Sequence, residues 1–147
     1  MSDIKGFNDN YSFLSNFYRC SVMFDGILYP SSENAYQAAK TIVKEDRLRF
    51  VDMTSGKSKR EGDLLIKRDN WHTLKFEIMF IILFDKFTRN EDLKIKLLAT
   101  GNSYLEETNH WGDQVWGVCN NLGENNLGKI LMKIREILKT YNKGFII

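Results

Sequence analysis

From Trp71 to Phe87 the apolar residues Leu74, Phe76, Ile78, Met79, Phe80, Ile81, Ile82, Leu83, Phe84 and Phe87 recur too densely for one helical stripe to hold them. A helix of this kind must be nearly surrounded by protein, so it is the core helix around which the remaining elements are arranged. Its most apolar run, 76–84, contains Glu77 and falls far short of the roughly 20 residues that span a bilayer.

Shorter signals surround this core helix. Between Cys20 and Tyr29, two apolar runs flank Asp25-Gly26, a strong two-residue hairpin signal. The far strand runs through Ile27, Leu28 and Tyr29 to Pro30. Ser31 or Ser32 then caps a helix that continues towards Lys40, with Glu33 in its first turn, where the helix dipole favours a carboxylate. A short helix is predicted over Arg47 to Met53, and a basic loop or loop-helix segment over Ser55 to Asp63. A further helix runs from Glu91 to Thr100 and stops at Gly101, and an amphipathic helix starts near Asn125 or Asn126 and extends to Tyr141. The expected fold is mainly α (α+β): a single compact helical domain over 1–147 with a small N-terminal β-hairpin. No repeat or Pro/Gly/Ser linker interrupts it, and 147 residues suffice to bury a core without disulfides.

The formal net charge of +2 is too small to announce nucleic acid as a partner, although Lys57-Ser58-Lys59-Arg60 and Lys67-Arg68 are locally basic. It permits an anionic small ligand equally well. Cys20 and Cys119 stand in no ligand-like spacing, and His72 and His110 stand alone, so neither a metal nor another cofactor is expected. The thiols read as reduced in a cytosolic setting. The N-terminus lacks a basic-then-apolar signal pattern, and a soluble cytoplasmic protein with no membrane partner is expected.

Three polar clusters are candidates for chemistry. On the Ser31 to Lys40 helix, Glu33, Tyr36, Gln37 and Lys40 fall at i, i+3, i+4 and i+7, while Ala35, Ala38, Ala39, Ile42 and Val43 form a face suited to core packing. This polar face is either a pocket wall or a solvated surface. The second cluster, Glu106 to Gly117, places Asp113 between Trp111 and Trp116. The two indoles either wall a flat-ligand pocket or plug the core while Asp113 caps a turn. In the third, Gly123 to Lys129, a helix start at Asn126 could receive an anion or serve only as a cap. Near the N-terminus, Ser15 and Asn16 sit among aromatics, where they could hydrogen-bond a base or tie the segment down.

Taken jointly, these motifs make the chain resemble the NADAR domain family, also called YbiA-like. The resemblance is carried by Phe13-Leu14-Ser15-Asn16-Phe17, by Ser32-Glu33 with Tyr36-Gln37 and Lys40, by Lys59 and Gly62 with Arg68 and Trp71, and by Met79 and Lys86-Phe87. It continues through Leu97 to Gly101, Glu107 with Asp113 and Trp116-Gly117, and Gly123 to Gly128 with Leu131-Met132 and Arg135. The chain departs from the family pattern between Glu107 and Asp113, where members differ in length, so either Glu106 or Glu107 matches the family acid.

The resemblance implies an N-glycosidase acting on one of two substrate classes: ADP-ribose attached to guanine of nucleic acid, or a ribosylamino-pyrimidine phosphate intermediate of riboflavin biosynthesis. It also implies a functional pairing with an ADP-ribosyltransferase. A third reading, from another class, is a module that binds ADP-ribose or a nucleotide without turnover. Cleaving a C–N glycosidic bond develops positive charge on the sugar, which calls for a nearby carboxylate, here Glu33 or Asp113, and for an acid or base at the leaving nitrogen. Lys40 lies about two turns, roughly 10 Å, from Glu33 and is a candidate nucleophile through an imine with the opened sugar. Trp116, Trp71 and Tyr36 are stacking candidates, and Asn16 and Gln37 are hydrogen-bonding candidates. Lys59, Arg68 and the Asn126 helix start are phosphate candidates. Glu107 and Gly117 complete the expected substrate-binding set.

Overall fold

A computed structural model of the chain describes residues 2–144. In chain order the elements are β1 (Ile4–Lys5), a 3-10 turn (Asp9–Leu14), β2 (Arg19–Phe24), β3 (Ile27–Ser31), α1 (Ser32–Ala38), α2 (Lys44–Leu48), a second 3-10 turn (Arg49–Asp52), α3 (Ser55–Asp63) and α4 (Trp71–Arg89). They continue with α5 (Glu91–Ala99), β4 (Leu105–Glu106), β5 (Thr108–Asn109), β6 (Val118–Cys119) and α6 (Asn126–Gly144). The fold is mainly helical with small strands, as expected. The chain divides into two compact units, one running from Asn16 to Glu91 and the other combining the segment through Ser15 with the chain from Asp92 onward.

In the unit Asn16–Glu91, β2 and β3 pair antiparallel with Val22 opposite Tyr29 and Phe24 opposite Ile27. The hairpin forms because Asp25 and Gly26 adopt positive φ, 51° and 82°, as a two-residue turn matched to strand twist requires. Val22 and Tyr29 are buried beneath it. α4 packs on β2, and the Met23 N–H donates to the Asp85 carboxylate at 2.7 Å. Ser31 caps α1 by accepting from the Asn34 N–H at 3.1 Å. The short helix that follows is buried on every side, including Ser32, Glu33, Asn34 and Gln37.

Three details depart from expectation. α1 ends at Ala38, and the turn at Ala39-Lys40 carries Ile42 and Val43 out of the helical phase, leaving them 70% and 46% exposed rather than in the core. Arg47 to Met53 splits between α2 and a 3-10 turn, and it does not continue as helix because the buried Asn34 amide donates to the carbonyls of Phe50 and Met53, both at 2.8 Å, in place of the amides four residues on. α4 is not surrounded on all sides, since Ile81 is 47% exposed. Its buried face instead runs through Trp71, Ile78, Met79, Ile82, Leu83 and Phe87, and includes the fully buried Lys86.

In the other unit, β1 and β4 pair in parallel, with Ile4 opposite Leu105, and β5 pairs in parallel with β6. α5 ends before Gly101, which takes a φ of 64°. α6 buries the stripe Leu127, Leu131, Ile134 and Leu138 and packs on β4. Asn125 fixes its start with a φ of 52°. The Asn125 side chain donates to the Leu105 carbonyl at 2.9 Å and accepts from the Glu107 N–H at 3.0 Å. Gly128 permits this packing, since a Cβ there would lie 2.1 Å from the Leu105 carbonyl oxygen. Among the described residues no helix is long and apolar enough to cross a membrane.

Candidate active site

The polar face of α1 is a buried wall, not a solvated surface. Asn16 anchors its start, its backbone carbonyl accepting from the Glu33 N–H at 2.9 Å and its side-chain oxygen from the Ser32 hydroxyl at 3.0 Å. The Gln37 amide donates to the Glu33 carboxylate at 2.8 Å. The other end of that amide, Gln37 Oε1, is buried with no hydrogen-bond partner among the described residues, an acceptor left open at the cost of its desolvation. α3 reaches this wall through Gly62, where a Cβ would lie 1.9 Å from Gln37 Oε1. Only glycine lets the two helices approach so closely.

Burial sets the charge states here. Glu33 is held above the usual carboxylate range, because desolvation outweighs the Gln37 hydrogen bond and the charges of Lys59 and Lys40. Lys40, in the turn just beyond α1, is 5% exposed, and desolvation lowers it below the usual lysine value. The Asp63 carboxylate opposes that shift from 3.7 Å. Lys40 Nζ also lies 5.8 Å from the centre of the Tyr36 ring. A carboxyl inclined to hold its proton and an amine inclined to lose its own therefore stand within one short stretch of chain, on α1 and in the turn that follows it.

The remaining candidates of this unit lie around α1. Tyr36 and Trp71 pack against each other with centroids 5.2 Å apart and are both buried. Lys59 is exposed on α3, with its charge acting on Glu33. The Arg68 N–H donates to the Lys40 carbonyl at 2.7 Å, while Arg68 itself lines a groove of about 710 Å³ bordered by Met23, Phe24, Glu77 and Ile81. Sequence reasoning missed Asp63. Its partner, Lys40, is distant along the chain, and the only available signal was an acid on the same segment as Lys59 and Gly62.

Asp113, Glu107, Trp116, Gly117 and Asn126 belong to the other unit. One Asp113 carboxylate oxygen accepts from the N–H groups of Val115 and Trp116 at 3.1 and 2.9 Å, a side-chain-closed turn. Trp111 is 56% exposed and plugs no core, whereas Trp116 is half-buried. Gly117 is required sterically, since a Cβ there would lie 2.1 Å from the Glu107 carbonyl oxygen. The first amides of α6 are occupied: those of Asn125, Asn126 and Leu127 donate to the carbonyls of Gly117, Val115 and Trp116, and the Asn126 side chain also donates to Val115 at 2.8 Å. Glu106 accepts from the Thr108 hydroxyl at 2.5 Å, and the Glu107 carbonyl accepts from the Val118 N–H at 2.9 Å. Among the described residues no three His, Cys, Asp or Glu side chains form a group able to hold a metal.

Known proteins resemble this chain in sequence and in fold. The N-glycosidase YbiA of Escherichia coli (strain K12) is 32% identical over 139 residues, which cover 89% of this chain and 84% of that protein. A riboflavin biosynthesis protein of Vibrio vulnificus (strain YJ016) is 37% identical over 91% of this chain, which spans only 37% of that longer protein. The N-glycosidase R617 of Acanthamoeba polyphaga mimivirus is 31% identical over 74% of each chain. The NMR structure of E. coli YbiA superposes with a TM-score of 0.84 at 30% identity, covering 97% of this chain and 89% of that one. The NADAR domain description matches residues 5–139, through both units and every cluster described above. The chain belongs to the NADAR domain family.

Proposed function

We propose that this chain is an N-glycosidase whose substrate is ADP-ribose attached to the exocyclic amine of guanine in nucleic acid. The burial of Glu33 on α1 and of Lys40 in the turn just beyond it, with opposed shifts, carries the reading. Neutral Lys40 attacks the anomeric carbon while protonated Glu33 gives its proton to the departing guanine nitrogen, so the C–N bond breaks as a new one forms to Lys40. The sugar ring then opens to an imine. Water adds to it, with Glu33 now accepting a proton, and ADP-ribose leaves as Lys40 regains its amine. Gln37 orients Glu33, and its open carbonyl oxygen suits a donor on base or ribose. Because α6 and Asn126 spend their donors on the preceding loop, the phosphate duty falls on Lys59 and Arg68. Tyr36 and Trp71, packed against each other beside Lys40, are the stacking candidates of this unit. The names of the E. coli and mimivirus relatives support glycosidase chemistry. A buried acid and amine set also argues against a pure binding module, which needs neither.

The riboflavin biosynthesis relative supports a second reading, cleavage of a ribosylamino-pyrimidine phosphate. Both substrates are tested together by incubating the protein with a guanine-ADP-ribosylated oligonucleotide and with that phosphate, reading the products by mass spectrometry. Free ADP-ribose with restored guanine is the expected result, and release of ribose phosphate alone moves the chain to the second reading. Borohydride should trap wild type on its substrate but not Lys40→Ala. Glu33→Gln should fold and lose about 10²–10³ in kcat.

A further inference from the structure

The strongest feature outside the acid and amine pair is the rim formed by α3 and the loop that leaves it. Leu64 and Ile66, beside the Lys40 turn, are 79% and 93% exposed. Exposed aliphatic side chains close together and rimmed by polar residues are the make-up of an interaction surface. Here the charge is predominantly positive. Residues 57–68 hold five Lys or Arg (Lys57, Lys59, Arg60, Lys67, Arg68) against Glu61 and Asp63, a net +3. Since the whole chain carries +2, everything else sums to −1. The positive charge is therefore concentrated on this rim. α3 buries Ser55, Ser58 and Gly62 and so turns Lys57, Lys59 and Arg60 to solvent. The loop is fixed to the site, because the Leu64 and Leu65 N–H groups donate to Glu61 and Gly62, and the Arg68 N–H to Lys40.

We infer that α3 and the 64–68 loop form a docking rail for a single polynucleotide strand, with Lys57, Arg60 and Lys67 neutralising phosphates and Leu64 and Ile66 wedging against the bases beside the reacting nucleotide. Lysine and arginine charges on a surface neutralise a phosphate backbone whatever its sequence, and aliphatic wedges inserted at base steps separate a target base from its neighbours. A single strand exposes its base faces to such side chains with less of the unstacking cost that a duplex imposes. The inference rests on the N-glycosidase reading for what happens at the base. Strand binding itself is measured on unmodified DNA, so the two can fail separately.

The test is fluorescence anisotropy with a labelled 20-nucleotide single strand of unmodified DNA across a salt series. Wild type should bind with an affinity that falls with salt. Lys57→Glu/Lys67→Glu should weaken binding at least tenfold and reduce the slope of log K against log salt by about 1.4, two phosphate contacts on a single strand. Leu64→Ser/Ile66→Ser should weaken binding at least fivefold and leave that slope unchanged. Unaltered circular dichroism and melting of both double variants confirm that the fold is intact. Absence of strand binding by wild type, equal binding by the variants, or binding of the rim to phosphatidylserine vesicles but not to DNA overturns the inference. So does a monomer–dimer equilibrium abolished by Leu64→Ser/Ile66→Ser, which would make the aliphatic tips a self-association surface.

Discussion

Lys40 is the residue whose behaviour depends most on its surroundings. Desolvation pulls its proton affinity down, Lys67 adds to that shift, and Asp63 and Glu33 oppose it. If Lys40 must be neutral to attack, kcat/KM rises with pH through its titration. Asp63→Asn removes an opposing charge, so the acid limb of the profile should move to lower pH, with most of the maximal rate retained. A pH–rate series on both proteins checks this; a loss of amplitude with an unmoved limb would mean that Asp63 only braces the fold. The spacing of Glu33, Tyr36, Gln37 and Lys40 was legible in the sequence because a helix converts spacing into a face. The shifts were not, since they come from burial, and burial depends on α3, an element whose approach no local pattern announces.

α1 and α3 show how much one backbone atom's clearance matters. A Cβ at residue 62 would meet three Gln37 side-chain atoms, at 1.9, 2.6 and 2.8 Å. Gly62→Ala should therefore force the helices apart, destabilise the protein by about 1–3 kcal/mol in urea unfolding, and loosen the Gln37 bond to Glu33, so that turnover falls with stability. Unchanged unfolding midpoints would show that Gln37 swings away freely. The hairpin, the Ser31 cap and the α6 start were legible because each is enforced within a few residues, by a positive-φ turn, a hydroxyl cap and a left-handed Asn125. The course of Arg47 to Met53 was not, since the group that takes the Phe50 and Met53 carbonyls is the amide of Asn34, on another element.

For the molecule as a whole, the fully buried Lys86 couples stability to pH. Burial lowers it to about 8, with the ammonium 5.1 and 5.8 Å from the centres of the Phe87 and Tyr18 rings. Because the unfolded chain keeps this proton up to about 10.5, it binds more protons than the native state between those values, and stability should rise with pH across that window. The full effect is on the order of 3 kcal/mol at about 1.4 kcal/mol per pH unit. Lys86→Met should flatten this part of a stability–pH curve measured by denaturant unfolding; an unchanged slope would place the titration elsewhere. A lysine in the densest apolar helix gave no sign in sequence that it would face inward. The sequence by itself determined the hairpin, the main helices, the Ser31 cap and the family, because turns, helix phase and motif order are local or linear properties of the chain. Tertiary structure alone decided which polar groups lost their water and with whom, making α1 a buried wall, turning Asp113 to closing its own turn and leaving Leu64 and Ile66 in solvent, since desolvation depends on neighbours that are remote in sequence.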